Sequence, residues 1–106
     1  MNLTPWNILS AHVAADVTSD DWNLAEPPDE PDSPRSYWID VAFATAFSAP
    51  PVVHLGLTGF DSDQRDSTRI SIRPVEITAS GFRVEVSTWS VTRLYGVEVS
   101  WLAIGP

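Results

Sequence analysis

Apolar and polar side chains alternate with a period of two through most of this chain, and that pattern predicts strands rather than helices. Between Trp6 and Val17, the residues Asn7, Leu9, Ala11, Val13, Ala15 and Val17 share one parity and define a first strand. Tyr37, Ile39, Val41 and Phe43 oppose Trp38, Asp40 and Ala42 in a second, and Val53, Leu55 and Leu57 oppose His54 and Gly56 in a third, from Val52 to Leu57. Ile70 and Ile72 alternate with Arg69, Ser71 and Arg73 in a fourth, from Arg69 to Val75. After the Ala79-Ser80-Gly81 turn, Phe82, Val84, Val86 and Thr88 alternate with Arg83, Glu85, Ser87 and Trp89 in the fifth. The sixth, Leu94 to Ile104, puts Tyr95, Val97, Val99, Trp101 and Ala103 on one face, and Leu102 and Ile104 on the other imply burial on both faces near its end. Two stretches break the pattern. Thr18 to Arg35 holds four prolines among six carboxylates and reads as a long exposed loop, and Gly59 to Ser67 reads as a polar loop. Six strands punctuated by turns, with no sustained helical period, predict an all-β fold: a six-stranded antiparallel β-sandwich. No internal repeat suggests a propeller or solenoid.

Composition adds limits to this picture. At 106 residues, 43% hydrophobic and 19% charged, the chain is expected to form one domain spanning 1–106. Its apolar runs are far shorter than the roughly 20 residues needed to cross a bilayer as a helix, so no membrane insertion is expected. Fourteen acidic against six basic residues give a net charge of −8, which repels phosphate backbones, so no nucleic-acid partner is expected. There is no cysteine, which removes disulfides, thiolate metal sites and thiol nucleophiles. Stability must then come from packing, within the chain or between copies of it. The segment Met1 to Trp6 lacks the basic cluster and apolar stretch of a secretory leader, so a cytoplasmic or non-classically exported chain is expected.

Catalytic and metal chemistry find little support. Asp61-Ser62-Asp63-Gln64-Arg65-Asp66 begins like a calcium loop, but Arg65 takes a ligand position, Asp66 stands where the turn glycine belongs, and no glutamate closes the loop. His12 and His54 lack neighbouring metal ligands, and His54 within a strand reads as a hydrogen-bonded structural residue. No Gly-x-Ser-x-Gly elbow exists, and a small sandwich offers a carboxylate pair little of the deep cleft a glycosidase needs. No cofactor is expected. The aromatic end is more informative. Trp89 and Tyr95 flank the connection Ser90 to Leu94, which brings both to one tip, where rings can pack on the C–H face of a pyranose while arginine and carboxylate groups bind its hydroxyls. Trp101, on the regular face of the sixth strand, reads as core.

Phe47-Ser48-Ala49-Pro50-Pro51-Val52-Val53, Thr68-Arg69-Ile70-Ser71-Ile72, Gly81-Phe82, Thr88-Trp89 and Tyr95 to Ala103, in that order and spacing, resemble the H-type lectin domain over Arg35 to Ile104, and more loosely over Ile8 to Val17. The resemblance implies a homotrimer, or a hexamer of two trimers, that binds galactose or N-acetylgalactosamine at sites between subunits without catalysing a reaction. By the same resemblance, Arg69 and Asp32 would bind sugar hydroxyls, and Trp89 and Tyr95 would pack on the apolar edge of the sugar. The family's histidine after the tryptophan, which contacts the acetamido group, is Ser90 here, and this weakens the case for an N-acetyl sugar. Two other readings remain: a trimerisation or adhesion module whose sugar site is lost or altered, and a glycosidase.

Overall fold

The structure, a computed structural model, describes residues 6–26 and 33–106. Six strands follow one another: β1 (Asn7–Asp16), β2 (Arg35–Ala42), β3 (Val52–Ser62), β4 (Ser71–Val75), β5 (Gly81–Thr88) and β6 (Leu94–Gly105). They form two three-stranded antiparallel sheets, ordered β1-β6-β3 and β2-β5-β4. The expected all-β architecture of six strands in two antiparallel sheets is what forms.

β6 and β5 are the central strands, which explains their regular alternation: a central strand has neighbours on both edges, so its register is fixed by the face it buries. Val84 and Val86 of β5 and Val99 of β6 are fully buried, and Phe82, Val97, Trp101 and Ala103 lie on the same inner faces. Burial of each such side chain contributes about 1.5–3 kcal/mol. At one end of the core, Phe43, Phe47, Phe82 and Trp101 form a cluster with ring centroids 5.1–5.7 Å apart. Trp101 is core, as its position predicts. Pro74 falls on β4, an edge strand where the missing N–H faces no neighbour. Gly81 begins β5 where an added Cβ would collide with the Val41 carbonyl, so a larger residue would force the two strands apart.

The element boundaries differ from the sequence pattern where ladder pairing and side-chain periodicity part company. β3 runs on through Gly59, Phe60 and Asp61 to Ser62, residues expected in a loop. Register shifts between Leu57 and Gly59 and between Asp61 and Ser62 scramble the parity of its second half, while the backbone stays paired to β6. β4 begins at Ser71, two residues after the expected start. The Arg69 carbonyl accepts a hydrogen bond from the Thr88 hydroxyl, and the ladder with β5 begins only at Ser71 and Ser87.

The long proline-rich connection is not wholly exposed. Leu24 is fully buried in the core, its carbonyl accepts the Leu94 amide at 2.7 Å, and Trp22 packs on Tyr37 with centroids 5.0 Å apart. The Trp22 indole N–H also donates to the Leu94 carbonyl at 2.9 Å. Isolated apolar residues among acids carry no periodicity, so their burial left no pattern to read. His54 departs from expectation too. It lies in β3 but on the exposed side, because its parity belongs to the outer face of the sheet, and its side chain makes no hydrogen bond among the described residues.

Candidate functional site

Strand direction brings three connections to one end of the sandwich: β1 to β2, β3 to β4, and β5 to β6. The N-terminal start of β1 and the C-terminal end of β6 lie at the other end, where Asn7 pairs with Gly105. Loops gathered on a rigid sheet scaffold are common places for binding residues.

Arg35, the first residue of β2, ties this end together. Its guanidinium donates to the carbonyls of Leu24 and Glu26 in one connection and to those of Ser90 (3.3 Å) and Thr92 (2.6 Å) in another. Burial lowers its pKa, yet an arginine remains charged at neutral pH, so these are charge-assisted bonds. Ser90 sits in the left-handed backbone region at φ 59°, one of three non-glycine residues to do so among those described. The Arg35 bond to its carbonyl helps hold that conformation.

Thr92 is fully buried, and its hydroxyl donates to the Ser67 carbonyl at 2.7 Å. Arg69 donates to the same carbonyl at 3.1 Å and to the Thr92 hydroxyl at 3.4 Å. The Thr88-to-Arg69 bond therefore joins the end of β5, and with it Trp89, to the Arg69 segment. Trp89 is 39% exposed.

Tyr95 lies across in the other sheet, and its hydroxyl donates to Asp63 at 2.7 Å. Asp63 also accepts from Arg65 Nε (2.8 Å) and Nη2 (2.6 Å), a two-pronged pairing that holds its carboxyl far below the usual range, with the Tyr95 bond adding to the effect. The hydrogen bond to the Asp63 carboxylate raises the Tyr95 pKa. Asp66 is held low in the same way by Arg93, whose Nε and Nη2 lie 2.9 and 3.0 Å away. The acidic loop that begins like a calcium site thus has two of its carboxylates held by guanidinium groups.

Among the residues expected to bind sugar, the structure brings Arg69, Trp89 and Ser90 together within one knot of loops. Tyr95 is at the same end but on the opposite sheet, turned toward Asp63. Asp32 lies outside the described residues. Arg35, Thr92 and Asp63, which the sequence does not single out, hold these residues in place. A lone arginine or threonine beside a strand has no motif, and the connection Ser90 to Leu94 carries no glycine or proline to mark it. Among the described residues, no group of three or more His, Cys, Asp or Glu side chains is placed to hold a metal ion, and no helix is long and apolar enough to cross a membrane.

Comparison with known proteins agrees with this architecture. The family model for the H-type lectin domain matches residues 38–104. A protein of Fuscovulum blasticum, called ATP synthase subunits region ORF 7, is 40% identical over 72 residues, covering 68% of this chain and 63% of that protein. Discoidin-1 of Dictyostelium discoideum, in its B/C form, is 30% identical over 70 residues, covering 65% of this chain and 28% of that protein. The chain therefore spans less than two thirds of the length of either relative. In three dimensions, discoidin II of Dictyostelium discoideum superposes with a TM-score of 0.79 over 94% of this chain and 37% of its own, at 20% identity, which is a likeness of fold.

Proposed function

The chain belongs to the H-type lectin domain family, and from that premise we propose that it is a carbohydrate-binding lectin, recognising galactose-type sugars at the end where the three connections meet. The observation that carries this reading is the state of its arginines. Arg65, Arg73, Arg83 and Arg93 are paired with carboxylates, and Arg35 is spent on backbone carbonyls. Arg69, whose backbone is bonded to Thr88 just before the exposed Trp89, has a guanidinium that touches only neutral oxygens at 3.1 and 3.4 Å among the described residues. A guanidinium with spare donors and an exposed indole at one end of the sandwich suit a pyranose: the ring takes the C–H face and the fork takes two hydroxyls. Asp32, by family correspondence, would accept from the same hydroxyls. Binding of this kind makes and breaks no covalent bond.

Single sites of this type are weak, and assembly would strengthen them by presenting several at once. The outer face of the β1-β6-β3 sheet supports a homotrimer built on that surface. Ile8 and Val52 are 65% and 72% exposed there, Ile104 lies between them with Leu102 next along the same face, and Glu98 is the one acid among the outward residues of β6. The opposite outer face carries Asp40, Arg73, Arg83 and Glu85, as a solvated face should. A second reading, an assembly module with an altered site, draws on Ser90 in place of the family's histidine. Glycan-array binding separates the two readings. Arg69→Ala is expected to abolish binding to galactose-terminated glycans while its circular dichroism and melting remain those of the native domain. Unchanged binding by that variant would remove Arg69 from the site, and an intact trimer with no glycan ligand would favour the assembly module.

A further inference from the structure

We propose a second saccharide subsite on the outer face of the β2-β5-β4 sheet, centred on Trp38 and distinct from the Arg69 end. It rests on the reading of this domain as a carbohydrate binder. A groove of about 340 Å³ lies there, walled by Asp20, Asp21 and Asn23 from the β1 to β2 connection and floored by Ser36, Trp38 and Arg83. That volume is at the small end of the range for ligand clefts and suits one or two sugar rings.

Three observations support a ligand rather than bare surface. First, Trp38 is 43% exposed on a face otherwise charged, where an exposed indole gains nothing from the core. The Arg83 guanidinium carbon lies over the ring, 5.6 Å from its centroid, a cation–π contact that limits the indole's motion. Second, Arg83 is itself fixed, by Asp40 at 2.9 Å and Glu76 at 3.2 Å, so the stack is preorganised. Third, the acidic wall is fastened to the sandwich. The Tyr37 hydroxyl donates to the Asp20 carbonyl at 2.9 Å, and Asn23 Nδ2 donates to the Ser36 carbonyl at 3.1 Å, which leaves the Asn23 Oδ1 available. The Asp20 and Asp21 carboxylates make no hydrogen bond among the described residues. A ring that stacks, carboxylates and an amide oxygen that accept, and a rigid wall that needs little ordering are together the chemistry that recognises a polyhydroxylated pyranose. Five carboxylates stand in or near the groove: Asp20, Asp21, Asp40, Glu76 and Glu85. Its ligand is therefore a neutral sugar, and sialylated or sulfated ones are disfavoured. Trp38 pairs with Glu85, three residues short of the end of β5, which puts the groove about 10 Å along the sheet from the Trp89 end.

The two sites can be read separately by amide and indole NMR of the full chain titrated with lactose and, in parallel, with maltose and sialyllactose. With at least one of the two neutral sugars, the Trp38 indole and Asn23 side-chain resonances should move, and sialyllactose should move them less than that neutral sugar does. Trp38→Ala should abolish the Asn23 shift and leave the Trp89 indole response to lactose intact, Trp38→Tyr should restore the Asn23 shift, and Arg69→Ala should do the opposite of Trp38→Ala. If Trp38 and Asn23 stay still while Trp89 responds, the second subsite is overturned and the primary reading stands. If they alone respond, the subsite stands and the Arg69 assignment falls. Silence from both sets with every sugar overturns both.

Discussion

Tyr95 shows how a carboxylate held in an ion pair can govern a neighbouring side chain. Its hydroxyl is bonded to Asp63, and that bond raises its pKa. A group whose folded pKa exceeds its unfolded value of about 10 contributes stability that is complete below that pH and lost as pH rises through the folded value. Asp63→Asn removes the negative charge that opposes ionisation of Tyr95. In a Tyr37→Phe background, where Tyr95 is the remaining tyrosine, ultraviolet titration should then show tyrosinate forming at lower pH than in the parent. The acid side has the opposite sign. Asp63 and Asp66 titrate below their ordinary range, so their contribution is present above about pH 4 and is lost as pH falls through their lowered values. Ser90 offers a test of specificity. By family correspondence it would stand where a histidine meets the acetamido group, and its left-handed conformation is supported by the Arg35 bond to its carbonyl. Ser90→His should raise binding of N-acetylgalactosamine relative to galactose by about 2- to 10-fold, the worth of one added hydrogen bond of roughly 0.5–1.5 kcal/mol. Isothermal titration with both sugars checks the ratio, and an unmoved ratio would detach this position from acetamido recognition.

At the scale of elements, legibility followed position in the sheets. The central strands β5 and β6 could be read almost to the residue, because each is paired on both edges and buries one face continuously in the core. β3 could be read only to its bulge, since past Leu57 the ladder continues on backbone hydrogen bonds while side-chain parity shifts. The site was legible in the same uneven way. Trp89 and Tyr95 stood out as aromatics flanking a short turn, whereas Arg35 and Thr92, which shape that turn through carbonyl and hydroxyl bonds, have no periodicity or motif to announce them. The β1 to β2 connection was misread most, as exposed, because one buried leucine and one packed tryptophan cannot be told from a solvated chain by spacing. Leu24→Ala tests whether the segment belongs to the core. Truncating a fully buried leucine should destabilise the domain by about 2–5 kcal/mol in urea unfolding, whereas a leucine on a free tether would cost almost nothing. The loss should also weaken sugar binding, since the Leu24 carbonyl is one of the acceptors that position Arg35.

The whole molecule is slender, with principal extents of 57 × 23 × 21 Å. Two three-stranded sheets leave each outer face in contact with solvent, and the faces differ in what they present. The charged one has Arg73, Arg83 and their carboxylates, while the β1-β6-β3 face has apolar residues and two histidines, His12 and His54, toward the end where Asn7 pairs with Gly105, and the acids Asp16, Asp61 and Glu98 toward the other. Association through that second face would remove apolar area from water, but it would also gather chains that each carry −8 at neutral pH. These terms respond differently to salt. Burial of apolar surface is little affected by moderate ionic strength, whereas repulsion between exposed charges is screened within about 8–10 Å near physiological salt. Sedimentation of the native chain should therefore show tighter association as sodium chloride rises from about 0.05 to about 0.5 M, the reverse of an assembly held by interchain ion pairs. Leu102→Glu, which places a further negative charge in the middle of the face, should yield a folded monomer at all these concentrations. If that variant assembles as the native chain does, the contact between copies lies elsewhere. A monomer that still binds lactose through Arg69 would further show that each site is complete within one chain, so that assembly contributes avidity alone.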